Sequence, residues 1–181
     1  MTSPLAGSPA WLDLALEAPI DPDRPIIDPH HHLWPAVGGR SRYLLADLWS
    51  DTGAGHHIVK TVFIECRASY REDGPEHLKP IGETDFVARL ARASRDGGGG
   101  AEIAGIVSHA DLRGGALLVE ALAAHEAAGG GLFRGIRHSG ARDPQNFWGR
   151  DFFPRNFADL TIKSLIIGTG LHHYRHRYGM T

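Results

Sequence analysis

Two histidines with the spacing of a metal-binding pair follow the first apolar segment of the chain. Residues 25–28 read as a short strand, and three consecutive histidines come after Pro29. Because alternate side chains of an extended chain point the same way, His30 and His32 are expected to share one face with Asp28. Two imidazoles on one face are suited to bind one divalent cation. The alternative is a polar, histidine-rich loop that binds no metal.

The place of these histidines along the chain favours a site. Pro29 has no N–H for a strand ladder, so we expect it at or beyond the last paired residue of the first strand. In parallel α/β barrels, active sites lie at the carboxyl ends of the strands. His30 and His32 are therefore predicted to lie at that end.

Charged side chains end two further predicted strands. Glu65 ends the strand Ile58–Glu65, where a carboxylate is suited to orient a substrate or a ligand histidine. Arg137 ends the strand Phe133–Arg137, and its planar guanidinium is suited to a substrate carboxylate because it binds two oxygens at once. For each residue the alternative is a structural ion pair, and both interpretations stay open.

The elements that must position these residues alternate between strands and helices. Ile58–Glu65 is the clearest strand because it is rich in β-branched and aromatic residues. Glu83–Arg95 and Ala116–Ala128 each carry apolar residues on one helical face, and the glycines at 129–131 end the second helix. The remaining predictions are strands at 25–28, 103–107, 133–137 and 164–167, a short helix near Trp11 and a weaker helix at 152–160.

This alternation predicts the α/β class. Strand, helix, strand implies parallel strands joined by right-handed crossovers, as in an open doubly wound sheet or a (β/α)8 barrel. A dinucleotide-binding sheet has a G-x-G-x-x-G turn after its first strand, but here Pro29 and three histidines occupy that place. The sequence therefore favours the barrel.

Composition excludes several classes of protein. The 181 residues carry a formal net charge of −2, which gives no basic surface for nucleic acid. No apolar run is long enough to cross a bilayer, and the first residues lack the pattern of a signal peptide. Cys66 is the single cysteine, which rules out an internal disulfide and fits a cytoplasmic protein.

Four segments, in order, resemble the amidohydrolase superfamily, in its amidohydrolase-2 branch of metal-dependent, lactonase-like hydrolases. PIIDPHHHLW, at residues 25–34, resembles the first strand of that branch, and TVFIECRA with YREDGP, from 61 to 75, resembles its second strand and following loop. PIGETDFV, at 80–87, resembles the start of its second helix, and FRGIRHS, at 133–139, resembles its fourth strand. The similarity runs from about residue 11 to about residue 160.

The resemblance implies roles for individual residues. A divalent metal, zinc by preference, would be bound by His30 and His32, although some members of the branch use no metal. The substrate would be a small carboxylated molecule, and the reaction would be hydrolysis of a lactone or another cyclic ester or amide by metal-activated water or metal-independent carbonyl activation. Glu65 would be the catalytic carboxylate, and the substrate-binding residues would be Arg137, Tyr70, Arg71 and His138. In a regular strand His138 faces away from Arg137, so it reaches the site only if the strand has ended.

The resemblance also implies an incomplete barrel. A (β/α)8 barrel needs eight strands and about 250 residues, whereas this chain offers about four to five βα units. We expect an N-terminal arm with a short helix at 1–24, the first part of a barrel at 25–160, and a divergent tail at 161–181. Half a barrel exposes two sheet edges, so self-association through these edges is expected.

Two other functions stay open at this stage. One is a catalytically inactive fragment, or a half-barrel that pairs with another chain, because the second half of the barrel is not found in the sequence. The other is a decarboxylase of the same superfamily, which would use the same first-strand histidines. Release of carbon dioxide rather than of an acid would identify the decarboxylase.

Overall fold

The computed structural model describes residue 5 and residues 8–15, 17–138 and 165–168. Its strands are β1 Ile26–His31, β2 Ile58–Ile64, β3 Glu102–Ser108, β4 Phe133–His138 and β5 Leu165–Gly168. Its α-helices are α1 Pro9–Leu12, α2 Leu45–Thr52, α3 Ile81–Gly97 and α4 Ala116–Gly129, and 3-10 turns span Asp13–Ala15 and Glu76–Leu78.

The strands form one sheet in the order of the chain. β1, β2, β3 and β4 are parallel neighbours, and β5 adds to β4 in the antiparallel direction. The strand predicted at 164–167 is therefore found, but it does not continue the parallel series of a barrel, and it covers the edge of β4 that half a barrel was expected to expose. A helix separates each consecutive pair of parallel strands, so the predicted α/β class is confirmed. A doubly wound sheet reverses its strand order at a switch point, and no such reversal occurs from β1 to β4.

The helices α2, α3 and α4 pack on one face of this sheet. Leu48 of α2 and Val87 of α3 lie in one buried cluster with Phe63 of β2. α4 contacts α3 and places Ala121 against Phe133 of β4. Burial of these apolar side chains is the main force that holds the helices on the sheet. Within the described ranges, no helix is long and apolar enough to span a membrane.

Most predicted elements are found within a few residues of their predicted ends. α3 and α4 are each followed by a glycine in the left-handed conformation, Gly98 with φ 58° and Gly130 with φ 55°. Other residues pay a steric cost in that conformation, so the glycine stop after α4 is confirmed. The short helix near Trp11 corresponds to α1. The helix predicted at 152–160 and the tail predicted at 161–181, apart from β5, lie outside the described residues.

The structure corrects one boundary and adds one helix. β1 continues through Pro29 to His31, whereas we expected the strand to end by Pro29. Proline is tolerated there because β1 is an edge strand, which is hydrogen-bonded to β2 alone among the described strands. The sequence did not predict α2, an eight-residue helix with Asp47 in its first turn. Its segment is too short to show a helical period.

A buried chain of hydrogen bonds joins β3 to α3 and α4. His125 is fully buried, and its Nε2 lies 3.0 Å from the carbonyl oxygen of His109. A carbonyl only accepts, so Nε2 carries the proton and Nδ1 accepts from the Thr84 hydroxyl at 2.8 Å. That hydroxyl in turn accepts from Ser108 at 2.7 Å. The side-chain polar atoms of Ser108, Thr84 and His125 are therefore each hydrogen-bonded.

Because two histidines are buried, we expect the folded state to lose stability in acid. Burial lowers the pKa of His125 and of His31 from 6.5 to about 4 in each case. The unfolded chain then takes up protons first as the pH falls, so the stabilisation is complete above pH 6.5 and is lost progressively down to about pH 4. Each shift corresponds to about 3 kcal/mol of unfolding free energy. NMR titration of the two rings checks this, and midpoints near 6.5 would contradict it.

Candidate functional site

Polar side chains from all four parallel strands meet at the carboxyl edge of the sheet. His30 and His32 come from the end of β1, and Glu65 directly follows β2. His109 directly follows β3, and Arg137 is the penultimate residue of β4. Parallel strands bring their carboxyl ends to one edge, which is why residues 107 positions apart in the chain become neighbours in the fold.

His30 of β1 and His32, which directly follows the strand, face each other through their Nε2 atoms. Nε2 of His30 lies 3.2 Å from Nε2 of His32, and the rings are nearly perpendicular, with centroids 4.9 Å apart. His31 points away from the pair, is 7% exposed and packs edge-on against Phe63. The predicted alternation of these three side chains is therefore found in the structure.

The proton of His32 is placed by a backbone carbonyl. Nδ1 of His32 lies 2.7 Å from the carbonyl oxygen of Ile64, the last residue of β2. Because the carbonyl only accepts, Nδ1 donates, and in the neutral ring the lone pair of Nε2 accepts a hydrogen bond from Nε2 of His30 at 3.2 Å. Metal-binding histidines are commonly oriented in this way, through an N–H to a carbonyl.

The distance within the histidine pair fits two ligands of one zinc ion. Zn–N bonds of 2.0–2.1 Å in a tetrahedron place two nitrogens about 3.3–3.4 Å apart. The observed 3.2 Å is close to that value. Among the described residues, however, no three His, Cys, Asp or Glu side chains form a group that could hold a metal ion. The described part of the chain thus supplies a ligand pair and not a complete set.

The surroundings of His30 favour its neutral form. Its pKa is lowered, first by burial and then by the neighbouring charges of His32 and Arg137, while Asp28 raises it. The Asp28 carboxylate also accepts the backbone N–H of His30 at 3.0 Å. A neutral imidazole is the form that binds metal, so this environment favours ligation.

Glu65 and Arg137 form a half-buried ion pair across the sheet edge. Nε of Arg137 donates to Oε1 of Glu65 at 2.8 Å, and Nη2 donates to its backbone oxygen at 2.6 Å. The side chains are 11% and 22% exposed for Glu65 and Arg137. The structural ion pair that the sequence left open as an alternative for Glu65 and Arg137 is therefore present. The three remaining N–H groups of Arg137 have no partner among the described residues, so the pair retains donors for an anionic group.

The other predicted substrate-binding residues are Tyr70, Arg71 and His138. Tyr70 has a buried hydroxyl without a partner in the described part of the chain, and burial raises its pKa. Arg71 pairs with Asp85 of α3 at 3.0 Å. His138 is the last residue of β4 and is 5% exposed, and its Nδ1 accepts the N–H of Leu112 at 3.0 Å. Its side chain is thus turned toward the loop that follows β3.

Glu83 holds the loop that follows β2, a role that the sequence did not indicate. This residue of α3 is fully buried, and its Oε1 accepts the N–H groups of Cys66 at 3.1 Å and Ala68 at 2.7 Å. Oε2 has no partner among the described residues, and burial raises the pKa of the carboxyl to about 7. Glu83 therefore fixes the loop that begins at Glu65. A glutamate at the start of a helix is usually exposed to solvent, so the sequence contained no indication of this role.

A cleft of about 430 Å³ opens beside the histidine pair, between β1 and α2. Trp34 and Tyr43 form part of its wall and stack at 5.3 Å between ring centroids. Tyr43 also donates to Asp51 of α2 at 2.5 Å. His30 and His32 line the cleft, so a small molecule there would contact both rings.

Comparison with known proteins assigns no relative to the chain. No protein-family description matches it, and neither a curated protein nor a solved structure does so. The site is therefore interpreted from its own geometry.

Proposed function

We propose that this protein is a hydrolase of the amidohydrolase type that acts on a lactone or another cyclic carboxylic ester or amide. In this proposal, the four parallel βα units are the first part of a (β/α)8 barrel. The strand order supports the barrel, because β1 to β4 follow one another without reversal and α2, α3 and α4 cover a single face. Right-handed crossovers in chain order produce that arrangement.

The observation that carries the proposal is the histidine pair. His32 is held by the Ile64 carbonyl with its Nε2 lone pair toward His30, at the edge where barrel enzymes have their active sites. Such a pair is suited to hold one divalent cation, with further ligands required from outside the described residues. When bound, that cation would polarise the substrate carbonyl and lower the pKa of water.

The chain's own residues would bind and orient the substrate. The donors of Arg137 that Glu65 does not use would bind a substrate carboxylate. Glu65 would fix the direction of the guanidinium, since it bonds the Nε side and leaves the Nη1 side open. A cyclic ester that carries a carboxylate fits both the anion-binding group and the histidine pair.

Zinc binding provides the test of the histidine pair. We expect His30→Ala to weaken zinc affinity by more than about 100-fold, the upper range for loss of an outer-shell partner, because one of two paired ligands is lost. His57→Ala is the matched control, since His57 also bonds a backbone carbonyl, that of Asp23, but lies before β2 at the opposite end of the sheet. Isothermal titration of the purified chain with zinc measures both variants. Equal affinity in wild type and His30→Ala would refute the ligand assignment.

Turnover tests the reaction. Wild type incubated with a panel of carboxylated lactones is expected to release the open-chain acid, which titrates as one new carboxyl group per molecule. Carbon dioxide release without lactone opening would identify a decarboxylase instead. Zinc binding without either reaction would indicate the half-barrel that needs another chain.

A further inference from the structure

A second imidazole at the sheet edge is held in the same way as His32. Nδ1 of His109 lies 3.1 Å from the carbonyl oxygen of Arg137, in the next strand of the sheet. His32 bonds the carbonyl of Ile64, also in the next strand. In both cases Nδ1 donates, so the neutral ring of His109 keeps an accepting lone pair on Nε2.

The backbone of His109 is fixed as firmly as its ring. Its carbonyl oxygen accepts the Nε2 proton of the buried His125, which ends the chain of hydrogen bonds from Ser108 through Thr84. Arg137, which holds the ring, is itself bonded to Glu65. The direction of His109 Nε2 is therefore set by a network and not by one contact.

His109 forms part of the wall of a second cleft, of about 300 Å³, between the 3-10 turn Glu76–Leu78 and α4. Because Nδ1 donates to the Arg137 carbonyl, Nε2 is the nitrogen of the neutral ring that can accept a hydrogen bond from a ligand. Much of the remaining wall is apolar and consists of Pro80, Leu117, Leu118 and Ala121. An apolar wall beside a fixed neutral acceptor suits a ligand with an apolar body and one donor.

The charges around the cleft favour a neutral donor over an ammonium group. The two carboxylates that line it are each paired, Glu76 with Lys79 and Asp111 with Arg113, and the lining His77 is paired with Glu120 outside the cleft. A cation would find no unpaired carboxylate there. A phenolic hydroxyl meets the requirement, because the ring packs on the apolar wall while the O–H donates to an imidazole nitrogen.

We propose that this cleft is a subsite for a phenol-type hydroxyl group, which donates its O–H to Nε2 of His109. Applied to the proposed hydrolase, on which this step rests, the substrate is a carboxylated lactone extended by a hydroxylated ring. β1 and β3 are two strand spacings apart, roughly 10 Å. A single lactone ring is shorter than that distance, so the hydroxyl belongs to a second ring.

Protonation of His109 is expected to abolish this acceptor. Burial lowers the pKa of His109, Glu65 and the Arg137 carbonyl oppose that shift, and His138 and Arg67 add to it. The other titratable groups that face it are His125 of α4, and Asp111 and His77 across the cleft. Phenol binding is therefore expected to be constant at neutral pH and to weaken in acid.

Nitrogen-15 NMR of the full chain tests the subsite with phenol itself. We expect a dissociation constant on the order of 1 mM and an upfield shift of the His109 Nε2 resonance. Anisole has the same ring without the donor and should leave that resonance unchanged. His57 is the internal control, and His109→Leu should weaken phenol binding roughly tenfold. Because the shift is measured on the wild-type chain, it does not depend on the variant folding.

Each outcome decides between the two proposals. Equal shifts with phenol and anisole, or no shift of His109 at 20-fold excess over about 1 mM, would overturn the subsite. Lactone opening together with that result would leave the hydrolase intact. Phenol binding at His109 without lactone opening would keep the subsite and overturn the hydrolase. If both hold, a hydroxyphenyl lactone should have a KM about 10- to 100-fold below its methoxy analogue in wild type alone.

Discussion

Gly82→Ala is expected to lower the unfolding free energy by about 3 kcal/mol, the upper range for overpacking. A Cβ at position 82 would lie 2.4 Å from the backbone oxygen of Ser69 and 2.8 Å from the backbone nitrogen of Arg71. Both atoms are main chain, so no side-chain rotation relieves the overlap. The loop that follows β2 must move instead. That loop already holds two non-glycine residues at positive φ, Arg67 at 63° and Ser69 at 55°.

Gly97→Ala is the matched control for this change. Gly97 ends the same helix, and the Cβ would only touch the Trp49 ring at an ordinary 3.4 Å. Alanine is favoured over glycine in a helix by about 1 kcal/mol, so this variant should be neutral or slightly stabilised. Urea denaturation followed by circular dichroism measures both. Equal midpoints for the two variants would show that the loop does not pack on α3 as described.

Replacement of Glu83 is expected to act in opposite directions according to the new side chain. Glu83→Gln keeps an oxygen for the N–H groups of Cys66 and Ala68 and removes a buried charge. Glu83→Leu leaves both N–H groups without an acceptor, at a cost of about 1–3 kcal/mol each. The first variant should therefore be more stable than wild type at pH 8, and the second less stable.

The pH dependence separates the charge effect from packing. The folded pKa of Glu83, about 7, lies above the ordinary value of 4.5, so its contribution is present below pH 4.5 and is lost as the pH rises through 7. This shift corresponds to about 3 kcal/mol. The advantage of Glu83→Gln should grow from pH 4.5 to 7 and then level off. A difference that does not change with pH would exclude an ionising Glu83. In Glu83→Gln this carboxyl no longer titrates, so the remaining pH dependence of the unfolding free energy reports the buried His31 and His125. Their contribution is lost as the pH falls, whereas that of Glu83 is lost as the pH rises.

The main elements were predictable because their signals are local. A β-branched run marked β2, apolar faces marked α3 and α4, and the glycines after α4 marked its end. The convergence of His30, His32, Glu65 and Arg137 also followed from the sequence, because each was placed at the end of a parallel strand. The sequence did not predict which of these residues bond to each other, because the Glu65–Arg137 pair joins β2 to β4 across the intervening β3.

Contacts between residues that are far apart in the chain could not be predicted from the sequence. His125 was a histidine on a helix and His109 a minor candidate, yet one carbonyl joins them. Glu83 stood in the first turn of a helix, where an acidic residue is ordinary. Its burial depends on the loop at 66–68 folding over it, which no periodicity reveals. The carboxylate-binding role of Arg137 and the metal-binding role of the histidine pair stay predictions.

The proline inside β1 bears on how this chain avoids amyloid-like stacking. An edge strand normally offers a row of backbone donors that an incoming strand can use as a template. Here Pro29 has no donor, and that of His30 is already bound by the Asp28 carboxylate. Because successive N–H groups of a strand point to opposite edges, Pro29 leaves one gap in this row, which makes the border a poorer template for an incoming strand. Pro29, which directly precedes the histidines, thus also limits the addition of another strand at this edge of the sheet.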